Sequence, residues 1–255
     1  MRPIWTGSIS FGLVNIPVRL FSGAETRDGL DLEMLHKQDG GRIRYARICR
    51  KDGEEVPWDD IVKGYEYRDG DYVVLTQKDL EKADAERTQT IDIQQFVMEG
   101  NIDIRYFEKP YYLEPIKGGE KAYALLHAAL EQSDKLALAK FVIHEREHLG
   151  VIKPVGRALV LMQMRFPTDL REGTDLKFPS DKLINKDELQ VALKLINQET
   201  KQFISEDFHD TYTEELEDII KAKAKGKKPS AHPAKEPADT TTHDLMAMLK
   251  ASIKQ

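Results

Sequence analysis

Residues 3–21 read PIWTGSISFGLVNIPVRLF and give the first indication of the fold class. The stretch is rich in β-branched and aromatic residues, and its length suits two strands better than one helix. Gly7 or Gly12 would lie at the bend between them, because a glycine inside a strand pattern commonly marks a bend or bulge. The chain is therefore expected to begin with β-structure.

A strongly basic stretch follows, with the sequence LHKQDGGRIRYARICRK from Leu35 to Lys51; it holds six Lys or Arg against one acid, Asp39. Asp39-Gly40-Gly41 predicts a turn, and Arg42–Cys49 predicts a strand. Strict alternation separates the bases into two faces, unless a bulge near Ala46 intervenes. The two faces would be Arg42, Arg44 and Arg50 on one side and Arg47 and Lys51 on the other. Two interpretations stay open, namely a cationic strand that faces a polyanion and a solvated edge strand whose charges prevent aggregation.

The totals describe an ordinary soluble protein, with 255 residues, 40% hydrophobic and 32% charged. The sequence has no apolar run of about 18 residues that would predict a membrane span, and its start lacks the pattern of a signal peptide. Cys49 is the only cysteine, which excludes an internal disulfide and a cysteine-based metal site and fits a reducing cytosol. We interpret Cys49 as a buried strand cysteine.

Charge is segregated along the chain, although the net charge is −6. Residues 37–51 carry +5, residues 52–120 carry −10, and residues 221–235 carry +6. A local field depends on the local block of charge. Both an acidic exterior around a basic channel and an acidic protein with a basic tail would give this distribution.

The middle of the chain predicts further strands and two helices. Asp69-Gly70 is a turn signal before a strand at 71–75, and Thr76 is expected to cap a helix that runs to about Arg87. Apolar residues at helical spacing predict a second helix over 121–132. The remaining strands are expected at 88–97, 102–107, 111–115, 136–143 and 157–166, with Gly150 and Pro154 in the connection between the last two.

The sequence pattern changes after residue 166, where the predicted strands end. Residues 167–184 predict a connector, Asn185 and Glu188 a capping box at the start of a helix, and 213–223 a second helix. Residues 224–243 are polar and contain three prolines, which predicts a disordered linker. A terminal helix is expected over 244–253, with an apolar stripe formed by Leu245, Met248, Leu249 and Ile253. This helix is either a docked core piece or a partner-binding peptide, and the long linker favours the peptide.

Residues 144–148, His-Glu-Arg-Glu-His, match the zinc motif of metalloproteases, in which both histidines and the glutamate lie on one helix. The context does not fit, because a predicted strand runs directly into the motif. Histidines four residues apart on a strand lie about 13 Å from each other, and Glu172 is a poor third ligand. The favoured interpretation is a strand end or loop in which Arg146 contacts a ligand, without a metal. A zinc-dependent hydrolase that uses His144, Glu145 and His148 remains the alternative.

The lysine run from Lys221 to Lys228 is either a solubilising tail or a non-specific contact to DNA phosphates. The sequence shows no glycine-rich phosphate loop and no suggestive order of Ser, His and Asp. No catalytic residue and no cofactor are therefore predicted.

Several long stretches, taken in order, resemble the bacterial Ku proteins of DNA double-strand-break end joining. They are IWTGSISFGLVNIPVRLF, LHKQDGGRIRYARIC, DGEEVPWDDIVKGYEY, YVVLT, REHLGVIKPVGRALVLMQMR and LMAMLKAS. The resemblance implies a β-rich protein with a β-barrel core and a helical C-terminal arm. It also implies a ring-forming homodimer that threads onto duplex DNA from a broken end. No enzymatic activity is implied, and the partners would be double-stranded DNA ends, a second copy of the chain and an ATP-dependent end-joining DNA ligase. Such a protein would be cytoplasmic and associated with the nucleoid.

The expected organisation is a DNA-encircling core at 1–166, a helical arm at 167–223, a basic linker at 224–243 and a partner-binding helix at 244–255. A ring that accepts any broken end must bind the phosphate backbone rather than base edges. The predicted DNA-binding residues are therefore Lys and Arg. On the basic stretch they are Lys37, Arg42, Arg44, Arg47 and Lys51. An opposite wall would be formed at a strand–loop–strand junction by Arg146, Lys153 and Arg157. The tail would add Lys221, Lys223, Lys225, Lys227 and Lys228.

Overall fold

The structure is a computed structural model, and it describes residues 1–25, 30–76, 78–79, 89–143, 146–227 and 245–253. The chain divides into two units. The first comprises residues 1–27 and 33–172, and the second comprises residues 28–32 and 173–255.

Seven strands of the first unit form a closed barrel in the order β1-β2-β6-β9-β8-β7-β5. All neighbours in the barrel are antiparallel except β1 and β5, which run parallel and pair Ser8–Ser10 with Thr90–Asp92. The strands are β1 (Trp5–Phe11), β2 (Val14–Ser22), β5 (Thr90–Met98), β6 (Phe107–Pro115), β7 (Lys135–Ile143), β8 (Arg146–Val155) and β9 (Ala158–Met164). The mixed, β-rich fold with a barrel core is confirmed.

The opening stretch forms the two predicted strands. Gly12 provides the bend with a φ of +58°, a conformation that glycine adopts without a steric penalty. Gly7 lies inside β1 for a different reason: a Cβ at this position would approach the Gln89 carbonyl oxygen to 2.2 Å. Its hydrogen side chain therefore permits the close approach of β1 to the chain that enters β5.

The interior of the barrel is apolar and contains residues from nearly every strand. Its fully buried side chains include Ile9, Ile16, Val18, Leu20, Ile91, Ile152, Leu159 and Leu161. Gly150 lies between the neighbouring strands β7 and β9, where a Cβ would meet the Phe141 ring at 2.9 Å. Residue 150 therefore belongs to β8 and not to a connecting loop, and the prediction that placed Gly150 and Pro154 in a loop is wrong.

Helix α1 (Glu120–Ser133) packs Tyr123, Leu126 and Leu130 into the barrel core. The Tyr123 hydroxyl donates a hydrogen bond to the Leu113 carbonyl (2.7 Å) and accepts one from the Leu159 amide (2.6 Å). Burial raises the pKa of Tyr123, an effect that the Leu159 amide partly offsets. One phenol thus satisfies backbone groups of both β6 and β9.

The predicted strand at 102–107 is wrong. A 3₁₀ turn at Ile104–Tyr106 occupies the middle of this region, a second 3₁₀ turn at Glu99–Asn101 lies just before it, and β6 begins only at Phe107. The Asp103 side chain accepts from the Arg105 amide at the start of the second turn. Ile102 and Tyr106 pack on a second apolar cluster beneath these turns, so their apolar character serves a turn and not a strand.

The chain between β2 and β5 contains a separate two-stranded sheet, β3 (Lys63–Arg68) and β4 (Asp71–Leu75). Gly70 turns the chain between them with a φ of +82°, as the Asp69-Gly70 signal predicts. Thr76 and Asp79 exchange the hydrogen bonds of a capping box. Most of the helix predicted to follow lies outside the described residues.

The second unit contains α2 (Lys186–Glu199), α3 (Thr211–Ala224) and α4 (Leu245–Ser252). Asn185 caps α2 through a hydrogen bond from the Asp187 amide, as predicted. The Glu188 side chain, which is described, forms no hydrogen bond back to the Asn185 amide, so the predicted capping box is not complete. No side chain that the structure describes from residue 173 onward is buried. Within the described chain, no helix combines the length and apolarity needed to cross a bilayer.

Replacing Tyr123 with Phe should destabilise the barrel by about 1–3 kcal/mol, because a buried amide and a buried carbonyl both lose their partner. Urea unfolding should show a lower midpoint with an unchanged slope. Tyr112→Phe is the matched control, since the structure gives this exposed side chain no hydrogen bond among the described residues. Equal stability of the two variants would show that the Tyr123 hydroxyl contributes nothing.

Candidate nucleic-acid interface

The basic stretch is built on two successive tight turns. In the first, Gly40 has a φ of +72° and the Asp39 carboxylate accepts from the Gly41 amide and from His36, each at 2.9 Å. In the second, Gly53 has a φ of +80° and the Asp52 carboxylate accepts from the Glu54 amide at 3.0 Å. The backbone N–H of Gly41 and that of Glu54 are the main causes that lower the pKa of Asp39 and Asp52. These carboxylates therefore support the turns at neutral pH, and that support is lost only in acid.

The strand predicted for Arg42–Cys49 is wrong. The structure has only two isolated bridges here, Leu35 with Arg42 and Ile48 with Glu55, each closing one of the turns. Ile43 and Arg47 each share one backbone hydrogen bond with a neighbouring segment, to Met34 and Val56, but the structure gives none for residues 44–46 within the described chain. The alternating residues therefore do not belong to a sheet. The predicted division of the bases into two strand faces, and the bulge near Ala46, are not found.

Arg42 and Arg44 each pair with a glutamate. The Arg42 Nε lies 2.6 Å from Glu33, and the Arg44 Nη2 lies 3.0 Å from Glu55. Both arginine side chains are 80% exposed. Exposed ion pairs of this kind contribute little to stability, so a phosphate can replace the carboxylate at small cost to the fold.

Arg47 is held differently, with its guanidinium carbon 4.4 Å from the centre of the Trp58 ring. A cation–π contact fixes the plane of the guanidinium and leaves its N–H donors available.

Cys49 is half-buried and lies in the second turn, so its interpretation as a buried strand cysteine is wrong.

Lys37 and Lys51 lie on the two turns, and neither forms an ion pair among the described residues. Arg50, beside Lys51, likewise forms no ion pair with any residue that the structure describes. As far as the structure describes the chain, the stretch therefore presents three cations without an ion pair, two arginines paired with exposed glutamates, and Arg47 against the Trp58 ring.

The opposite wall predicted from Arg146, Lys153 and Arg157 does not form as one junction. Arg146 begins β8 and pairs with Ile143, whereas Arg157 lies in the turn between β8 and β9. Arg146 and Lys153 are seven residues apart on one strand, so about 23 Å separates them. They also point to opposite faces of β8. Lys153 pairs with Glu99 at 2.6 Å, and only Lys153 and Arg157 remain near the same end of the strand.

The lysines of the tail begin in the last turn of α3. Lys221 contacts Glu217 at 3.0 Å, and this contact raises its pKa. Lys223 follows on the same helix, while Lys225 and Lys227 come just after its end, and Lys228 lies outside the described residues. Cations at a helix C-terminus are favoured by the helix dipole, so part of this run stabilises α3.

The predicted partner-binding residues all lie on or beside α4. Leu245, Leu249 and Ile253 are half-buried and Met248 is exposed. The α4 helix lies against α2 within the second unit.

The part of the zinc motif that the structure describes is a strand and not a helix. His144 and Glu145 lie outside the described residues, but Arg146–His148 belong to β8, and Ile143 pairs directly with Arg146. The His148 ring lies 5.5 Å from that of Phe141. Within the described chain no group of three or more His, Cys, Asp or Glu could hold a metal. A strand at this position separates residues that a zinc site must bring onto one helix face.

Sequence reasoning missed the groups that position the arginines, namely Glu33, Glu55 and Trp58. Glu55 and Trp58 lie just after the second turn, in a stretch rich in acidic and aromatic residues. The sequence signal was the Asp52-Gly53 turn, which folds this stretch back onto residues 47–49. Sequence reasoning also missed the exposure of the whole insertion. Between residues 33 and 75, every residue except Cys49, Val56 and Leu75 is exposed.

Comparison with known proteins agrees with the barrel. A family model described as the Ku70/Ku80 beta-barrel domain matches residues 10–221. The chain is 43% identical to the non-homologous end joining protein Ku of Opitutus terrae, an alignment that covers 100% of this chain and 92% of that protein. It is 38% identical to the protein of the same name from Archaeoglobus fulgidus, covering 98% and 99% of the two chains. The protein of that name from Bacillus subtilis is 36% identical, with 99% and 82% covered.

The barrel with the basic stretch inserted between two of its strands is thus that of a Ku-type β-barrel protein. The chain belongs to the Ku family, and its resemblance to bacterial Ku proteins is confirmed over its full length.

Purified protein equilibrated with a small excess of Zn²⁺ and then desalted should retain far less than one zinc per chain, because residues 146–148 form a strand. His148→Ala should give the same metal content. Stoichiometric zinc in the parent chain that is lost in His148→Ala would contradict this reading of the segment.

Proposed function

We propose that this protein binds the ends of double-stranded DNA without regard to sequence, as a homodimer, during non-homologous end joining. It protects or bridges the ends on the nucleoid in the cytoplasm and recruits an ATP-dependent DNA ligase. The role is one of binding, with no reaction catalysed by the chain itself. The observation that carries the proposal is the exposed basic stretch on a Ku-family barrel. The names of the relatives support the pathway.

The chemistry of the stretch suits phosphates. Lys and Arg on tight turns present charge and N–H donors without a helix or strand that enters a groove, and backbone contacts carry no sequence information. Arg47 keeps its donors while Trp58 holds it. Arg42 and Arg44 are held by glutamates until phosphate takes their place. A protein that must accept any broken end needs this kind of contact.

The homodimer is supported by the apolar surface of the insertion. Tyr45 is 87% exposed, Trp58 68% and Tyr65 66% in the isolated chain. A two-stranded sheet such as β3–β4 is marginally stable alone, and large apolar side chains left exposed on such a segment are what a partner would cover. A second copy of the chain is the partner always present in equal amount. In our proposal its insertion covers this one and completes the ring.

Ligase recruitment is assigned to the far end of the chain. The apolar stripe of α4 follows a lysine-rich segment, and a short amphipathic helix on a tether is a common mode of partner binding. The lysines from Lys221 to Lys228 would hold DNA outside the ring.

Glu55→Gln should raise the affinity for a short duplex about two- to fivefold at low salt, because it releases Arg44 from an exposed ion pair. Glu54→Gln removes the same charge from the neighbouring position, where the structure gives no ion pair among the described residues, and should raise affinity less. Arg44→Gln should lower affinity and reduce the salt slope by about 0.9 for the lost phosphate contact. Equal effects of the two Glu variants, measured by fluorescence anisotropy, would place Arg44 away from DNA.

Threading is tested by comparing one duplex as a linear fragment and as a covalently closed circle at matched salt. The linear form should bind and the circle should not, since a ring enters only from ends. Circularising the fragment after binding should trap the protein against high salt. Equal binding of both forms would mean that the bases grip DNA from the side, and release on salt addition would mean that no closed ring forms.

A further inference from the structure

The second unit contains an apolar groove that holds the end of the chain. The groove has a volume of about 410 Å³ and a mainly apolar lining. Leu245 and Leu249 of α4 lie on one side, and the other side is formed by Pro179, Leu183, Ile184, Leu189 and Ala192 together with the polar Ser180 and Glu188. All of these residues belong to the same unit. The seat of α4 is therefore formed by the start of α2 and the connector before it.

The two helices meet through matched faces. On α4, Leu245, Leu249 and Ile253 are half-buried at a spacing of four residues, which places them on one side of a helix. On α2 the half-buried positions are Glu188, Val191, Ala192 and Leu195, which also share one side. The small Ala192 side chain gives the leucines of α4 room to approach.

The groove is not filled by α4. Leu183 and Ile184 remain 77% and 56% exposed although they line it. The contact is therefore small, and the site has space for a larger apolar helix than the one it holds.

A helix as short as α4 does not persist alone in water, so its docking on α2 is what keeps it helical. Attachment through the chain gives it an effective concentration in the millimolar range. A contact whose intrinsic Kd lies below that concentration is then largely occupied, yet it stays readily reversible.

We infer that this groove is a receptor for the chain's own terminal helix, which it holds in cis and hides from partners. The inference rests on the proposed role of α4 in partner binding. Leu245 and Leu249 face the groove, so they are not available to an outside protein while α4 is docked. A partner that binds these leucines must compete with the groove, and its apparent affinity falls by the fraction of chains in which α4 is docked.

The test uses the full chain with Cys49→Ser, carrying the cysteine pair Ala192→Cys and Leu249→Cys. Mild oxidation should form a disulfide within one chain rapidly, seen as faster migration of the monomer on a non-reducing gel. The matched control pairs Ala192→Cys with Ala247→Cys, which lies on the other side of α4, and should react at least tenfold more slowly. Equal rates for the two pairs would overturn the inference.

A second arm separates the groove from its surroundings. Adding Leu189→Asp should slow formation of the Ala192–Leu249 disulfide at least tenfold, because it places a charge in the groove. Ile196→Asp makes a similar change on an exposed position of α2 outside the groove and should have little effect.

The size of the crosslinked product shows whether the groove holds the α4 helix of the same chain or that of a second copy. A disulfide that joins two chains, with a rate that rises with protein concentration, would overturn docking in cis and assign the groove to the helix of a second copy. None of these readouts involves DNA or ligase. If the comparison of linear and circular DNA contradicts end binding, the disulfide result for the groove is unaffected. If the disulfide test contradicts docking of α4, the end-binding proposal is unaffected.

Discussion

The parallel pairing of β1 with β5 is the contact on which the arrangement of the first unit depends. It joins Ser8–Ser10 to Thr90–Asp92 and closes the barrel. Because β2 already occupies the other edge of β1, both edges of β1 are taken, and closure leaves no unpaired edge there. The chain must leave the barrel after Ser22 and return at Thr90. The segment between them is an insertion, and its described residues 33–75, which include the basic stretch and the β3–β4 sheet, lie outside the barrel core.

That position explains how the insertion can carry charge without a cost to stability. Its two turns are held by Asp39 and Asp52, which accept backbone N–H groups close in sequence. Its arginines are held by other groups, Glu33, Glu55 and Trp58. The acids that shape the loop are thus separate from the groups that hold the cations. A cation can change partner while the turn beneath it keeps its hydrogen bonds, which is what a surface that binds an irregular polyanion requires.

Local sequence predicted the parts of the fold that local rules determine. Strands with clear alternation, turns with Asp-Gly and the helix that Asn185 caps were found near their predicted positions. Sequence reasoning failed where a neighbour in space decides. Strand β8 was missed because Gly150 and Pro154 break its pattern; yet Gly150 is required by the closeness of Phe141, and Pro154 lies beyond the pairing with β7, where a missing N–H is tolerated. The prediction for the basic stretch was wrong for the opposite reason, since its residues alternate as in a strand but do not belong to a sheet. The sequence predicted that the candidate site residues would be Lys and Arg. It did not predict which carboxylate or aromatic ring would contact each arginine.

The second unit follows a different physical rule from the barrel. The barrel buries a continuous apolar core and is specified by packing. From residue 173 onward no described side chain is buried, and large apolar residues such as Phe203 and Phe208 stack on each other in the open. A unit of this kind gains little from its own contacts, so small contacts such as that of α4 with α2 decide its arrangement. The same weakness makes it suited to exchange one contact for another. In the proposed function, the barrel with its packed core holds DNA, while the second unit, whose described side chains are not buried, exchanges the contact of α4 for a partner.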